Sequence, residues 1–201
     1  MSVARGFTRR RLLGGLVGGA AAAAAAPLLA GQTAGAESPK TDEQIVGDLL
    51  AAEALGIAVY ERLIGSPHLP PRAVRVARTV LGQERAHVAL LRRELGAPAP
   101  GPAAVPSGRD AIDAGLMAHH VERGIDDVHN AHDALDLLLA VEAVSQGAMY
   151  TAVSRVRRPS LVALCAEILG SEAQHQAVLG QLRQPKDLSV AVPYAFVEGI
   201  H

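Results

Sequence analysis

The chain has 201 residues, enough for one domain with a sizeable core. Nineteen Lys and Arg stand against 20 Asp and Glu, with no basic cluster past the N-terminus, which argues against nucleic-acid and anionic-membrane partners. Aromatic residues are few and Leu, Ala and Val dominate, a composition that suits helices better than strands; the single cysteine, Cys165, excludes an internal disulfide, so a core or a metal must hold the fold.

Residues 1–36 contain no acid and four arginines, Arg5, Arg9, Arg10 and Arg11. "TRRRLL" at 8–13 precedes a weakly apolar Gly/Ala run, and "AGA" at 34–36 has cleavage-site spacing. The segment reads as a cleavable export signal. Its paired arginines resemble a twin-arginine signal, with an ordinary secretory signal as the alternative. Gly and Ala make the run a poor spanning helix, so no stable membrane span is expected after cleavage. Without those arginines the mature chain carries 15 basic against 20 acidic side chains, a net of −5.

The segment 37–201 reads as one domain. Thr41 and Gln44 open a first helix as a capping box, and the helix runs to about Leu63 before Gly65 and Pro67. "LPPR" at 69–72 starts a second, ending at Leu95 before Gly96. The Pro-rich stretch 97–108 is a connector that cannot be helical. "RDAIDAGLMAHHVERG" reads as a short helix, and a long pattern follows from about Asp126 to Val156. Pro159 and Ser160 start the last helix, which ends near Arg183; residues 184–201 read as an extended tail. Four long helices with short outer links and a long middle connection predict an all-α, antiparallel four-helix bundle with a crossover between its second and third long helices, the bundle spanning about 42–183.

Inward stripes step by three and four along each long helix. They read Val46, Leu49, Glu53, Gly56, Tyr60, Leu63; Val74, Ala77, Leu81, Glu84, Val88, Leu91, Leu95; Leu135, Leu138, Glu142, Ser145, Met149, Ala152, Val156; and Leu161, Cys165, Ile168, Glu172, His175, Leu179, Leu182. One glutamate interrupts each stripe near mid-helix, so all four share a depth. The halves repeat: "DLLAAEALGIAVY" at 48–60 resembles "DLLLAVEAVSQGAMY" at 136–150, and each copy supplies a Glu and, about thirty residues on, a Glu-x-x-His. The chain thus reads as two copies of a helical hairpin.

Four buried carboxylates at one depth repel one another. Protonation, arginine pairing or cation binding would relieve this, and the seams carry no arginine there. Two divalent cations would balance four carboxylates, with two imidazoles adding neutral nitrogens. Glu84 with His87 can address one ion and Glu172 with His175 the other, because residues three apart share a helix face.

This six-residue pattern resembles the ferritin-like, carboxylate-bridged di-metal superfamily over roughly 42–183. The signal, the mid-chain connector, "SEAQH" and the "VPYAFVEG" tail look like bacterial exported ferritin-like domain proteins. The resemblance implies two Fe or Mn ions held by Glu53, Glu84, His87, Glu142, Glu172 and His175, and export to the periplasm, cell envelope or medium. It leaves the reaction open. One reading is a redox enzyme acting on O2 or peroxide, or oxidising iron; the other is a non-catalytic metal-binding or stress-related bundle, or one with a vestigial site. A homodimer is compatible with either. Tyr60 and Tyr150 read as core residues with bonded hydroxyls, Cys165 as a small core residue, and His119, His120, His129 and His132 as solvated.

Overall fold

The computed structural model of the protein describes residues 39–96 and 105–187. The expected signal at 1–36, residues 97–104 of the connector and the tail beyond Asp187 lie outside the described residues. Five α-helices are present, α1 (Asp42–Ile64), α2 (Pro71–Leu95), α3 (Arg109–Ala118), α4 (Ala131–Arg155) and α5 (Pro159–Arg183), and there are no strands among the described residues.

Local chemistry sets the ends. Thr41 Oγ1 accepts from the Gln44 backbone N–H, and the Gln44 side chain accepts from the Thr41 N–H. Gly96 closes α2 at φ 66°, a left-handed cap that favours glycine. The start of α4 differs from the sequence expectation. Residues 125–127 form only a 3-10 turn, and Asn130 caps α4 by accepting from the N–H groups of His132 and Asp133. An Asn side chain that satisfies two first-turn donors fixes the start more firmly than the acidic run Asp126–Asp127 can.

α1 packs on α2 and α4, α4 on α5, and α5 closes the ring against α2. Asp42, at the start of α1, accepts from the backbone N–H groups of Arg157 and Arg158 between α4 and α5, at 2.9 and 3.0 Å. Arg158 in turn donates to the Glu94 carbonyl at the end of α2, at 2.8 Å. These contacts put the starts of α1 and α5 beside the ends of α2 and α4, so every neighbouring pair is antiparallel. α3 lies within the crossover and rests on α1. A Cβ at Gly115 would stand 2.9 Å from Leu55 Cδ1, so glycine permits that approach.

The core is one cluster of mostly aliphatic side chains. Every expected inward residue is buried except Val74, Leu95 and Leu182, which are half-buried at helix ends. One turn before each glutamate sits a buried aliphatic residue, namely Leu49, Leu81, Leu138 and Ile168. Burial of a side chain of this size stabilises the fold by about 1.5–3 kcal/mol. α4 is long and apolar enough to cross a membrane by length and composition, yet it contributes Glu142 and Ser145 to the bundle interior. Cys165 is buried in the core as expected.

Candidate metal centre

The four helices bring all six sequence-predicted site residues into one cluster, each no more than 6 % exposed. Glu53 comes from α1, Glu84 and His87 from α2, Glu142 from α4, and Glu172 and His175 from α5. The histidines reach across the α2–α5 seam. His87 Nδ1 lies 3.0 Å from Glu172 Oε1, with Glu53 at 3.7 Å and Glu84 at 3.8 Å. His175 Nδ1 lies 3.0 Å from Glu84 Oε1 and 3.1 Å from Glu142 Oε2, with Glu172 at 3.6 Å. The two rings stack with centroids 5.9 Å apart.

Two overlapping groups result: Glu53, Glu84, His87 and Glu172, and Glu84, Glu142, Glu172 and His175. Within each group the donor atoms lie within 4.8 Å of one another, so either could surround a cation. Glu84 and Glu172 belong to both. The donors fit such an ion on a further count. Both oxygens of Glu53, both of Glu172, Glu84 Oε1 and His87 Nδ1 are buried without a hydrogen-bond partner. Orphaned buried polar atoms are rare, and each is costly to leave unmet.

Electrostatics divides the cluster. Burial pushes the Glu53 and Glu142 carboxyls well above the ordinary range, and the nearby charges of Glu84 and Glu172 add to the shift. Burial acts the same way on Glu84 and Glu172, but the closely approaching histidines outweigh it, holding Glu84 down at about 2 and Glu172 below its usual value. Burial disfavours both imidazoliums, and the surrounding carboxylates overcome it, raising His87 to about 11 and His175 to about 12. Without metal, protons are thus favoured on the two imidazoles and on the Glu53 and Glu142 carboxyls over those of Glu84 and Glu172.

Residues outside the six complete the site. The Tyr60 hydroxyl donates to Glu142 Oε1; burial, then Glu142, raise the phenol far above its usual value and keep it a donor. Gln83 Oε1 lies 2.8 Å from His175 Nε2, and Ser171 Oγ lies 3.3 Å from the same nitrogen. Gln146 is buried one turn after Glu142 with its Nε2 unpaired. Sequence reasoning missed Gln83, Ser171 and Gln146. The usable signal was position, since Gln83 and Ser171 each precede a motif glutamate.

Tyr150 departs from expectation, for it is 59 % exposed and no core residue. Tyr60 follows Glu53 by seven residues and returns to the same face, whereas Tyr150 follows Glu142 by eight, about 100° further round. Met149 takes the inward place. His119, His120, His129 and His132 are exposed, and none joins the cluster.

The family model described as "Ferritin-like domain" matches residues 41–185, most of the chain and all four helices that carry the cluster. The chain belongs to the ferritin-like domain family. No significant match was found among curated proteins or among solved structures. The limits of the ferritin-like domain follow the bundle closely, from the capping Thr41 to just past the end of α5. The six clustered residues therefore lie inside the ferritin-like domain itself.

Proposed function

We propose that this ferritin-like protein holds two iron or manganese ions, with Glu84 and Glu172 shared between them and Glu53/His87 and Glu142/His175 completing one position each. The overlap of the two donor groups at Glu84 and Glu172 carries this reading. Hard carboxylates with one imidazole per ion suit iron or manganese. When bound, such ions would pass electrons to O2 or peroxide, with ferrous iron as the electron donor in a ferroxidase-type reaction. The chain's own part is to hold the donors in a water-poor interior, where Leu49, Leu81, Leu138 and Ile168, one turn away, limit solvent. Tyr60 keeps its proton and orients Glu142 through Oε1.

A second reading has support of its own. The metal-free cluster neutralises itself by proton placement, so the bundle can stand without metal as a vestigial or non-catalytic binding site. Anaerobic reconstitution with Fe(II) or Mn(II), metal analysis, and then exposure to O2 or peroxide separates the two. Two ions per chain with oxidant turnover supports the redox reading; two ions without turnover supports simple binding. Less than half an equivalent overturns the dinuclear centre.

Export belongs to the same proposal. A twin-arginine route carries folded proteins, so metal could be loaded in the cytoplasm, where the cell sets its supply; raw affinity alone selects poorly among these metals. Replacing Arg9, Arg10 and Arg11 together by Lys should leave metal-loaded, unprocessed protein in the cytoplasm. Export at the normal rate would point to the general secretory route instead.

A further inference from the structure

Resting on the two-metal reading, we propose that the two ion positions are unequal: Gln83 and Tyr60 make the Glu142/His175 position the firmer one, filled first.

The two halves of the cluster share ligand spacing but not support. At His175 the inward Nδ1 faces three carboxylates while the outward Nε2 meets Gln83 Oε1 at 2.8 Å. Gln83 sits on α2, and its amide spans the seam to α5. A neutral imidazole has one donor nitrogen and one acceptor nitrogen. With Nε2–H given to Gln83, Nδ1 presents its lone pair inward. Partners of this kind fix ring orientation and raise ligand basicity, and their loss typically costs about 10–100-fold in metal affinity. Glu142 is held as well, since the Tyr60 hydroxyl occupies Oε1 and leaves Oε2 turned to His175.

The other half lacks both props. Among the described residues, no hydrogen bond reaches His87, and neither oxygen of Glu53 has a partner. The repeat explains the difference. Ser171 occupies Gln83's place in the second hairpin, and its short side chain stays beside His175 on its own helix. Met149 occupies Tyr60's place and offers no donor. An ion at Glu53/His87 must therefore order its own ligands, which costs binding free energy that the other position does not lose. Gln83 is a positioning residue, for it acts only through His175. It is exposed, so its replacement leaves the core intact.

The test is a titration of metal-free protein with Mn(II), with free ion read by electron paramagnetic resonance and heat by calorimetry. Wild type should bind two ions in two steps, the first tighter. Gln83→Ala should weaken the first step about 10–100-fold while two ions still bind, and Tyr60→Phe should act on the same step. Gln83→Glu, which can only accept, should restore first-step affinity; a packing role would show no such rescue. Two equal steps in wild type, or equal weakening of both steps by Gln83→Ala, overturn this inference alone. No Mn(II) binding at all overturns the two-metal reading and this inference with it.

Discussion

The middle of the bundle and its Asp42 end treat polar groups in opposite ways. At the end, the Asp42 carboxylate takes two backbone N–H groups and Arg158 takes the Glu94 carbonyl, so helix termini are met by neighbours. In the middle, six nitrogen and oxygen atoms of the cluster lie buried without a hydrogen-bond partner. Polar groups that serve the fold are satisfied within the chain. Those left short mark a place where local stability was given up for something else, which is where functional sites arise.

The strongest way to break this contrast is Glu172→Ala. It removes a donor from both groups, so both ions should be lost by metal analysis. It also strips an ionised partner from two buried imidazoliums. We expect the metal-free protein to lose about 3–5 kcal/mol in urea unfolding, the range for breaking a buried pair. An unchanged metal content would mean that Glu172 is not shared.

The next test is pH. Loading requires neutral imidazoles and ionised carboxylates, yet His87 and His175 hold their protons up to about 11 and 12, and Glu53 and Glu142 hold theirs far longer than ordinary carboxyls. Binding must therefore release protons, and affinity must fall as pH falls. With at least the two imidazole protons displaced, the overall two-ion constant should drop by about a hundredfold or more per pH unit below neutrality. Calorimetry in buffers of different ionisation heat counts the protons directly; a count near zero contradicts the proton placement described above.

Glu53→Leu separates the two kinds of buried carboxyl. Glu53 is held neutral by burial and makes no hydrogen bond, so an apolar side chain of similar size relieves a cost. The metal-free variant should melt at or above wild type while binding one ion fewer. A clear loss of stability would reveal a structural partner for Glu53.

Asp42→Ala should have the smallest effect, and only on the fold. Hydrogen bonds from the Arg157 and then the Arg158 backbone hold its carboxyl below the usual value. A lowered carboxyl stabilises the fold above its unfolded value, and that contribution is lost as pH falls through the lower folded value. The variant should melt slightly lower at neutral pH, show less acid sensitivity than wild type, and bind metal normally.

Much of this was legible in the sequence because helix seams carry a strong period. Four glutamates at matching depth, two followed by histidine at three residues, are a pattern that helical geometry converts directly into a cluster. What was not legible lies off the seams or depends on one residue of phase. Gln83 is exposed and reaches its target by the length of its amide, so no inward stripe includes it. Tyr150 looked equivalent to Tyr60 because the repeats align by eye, but one extra residue turned it outward. The start of α4 lies later than its sequence suggests because the acidic run Asp126–Asp127 resembles a first turn, while the cap itself is Asn130.

The crossed histidine contacts have one more consequence. Each position draws donors from at least three helices, and each imidazole meets a glutamate of the opposite helix across the α2–α5 seam. If α5 slid past α2 by a single turn, about 5.4 Å, the displacement would exceed the 4.8 Å span within which the donors now gather. The centre is therefore a gauge of alignment between the two hairpins. A remote substitution that lets them slip would empty the site while every helix stayed helical, and ion content would report misassembly that circular dichroism does not see.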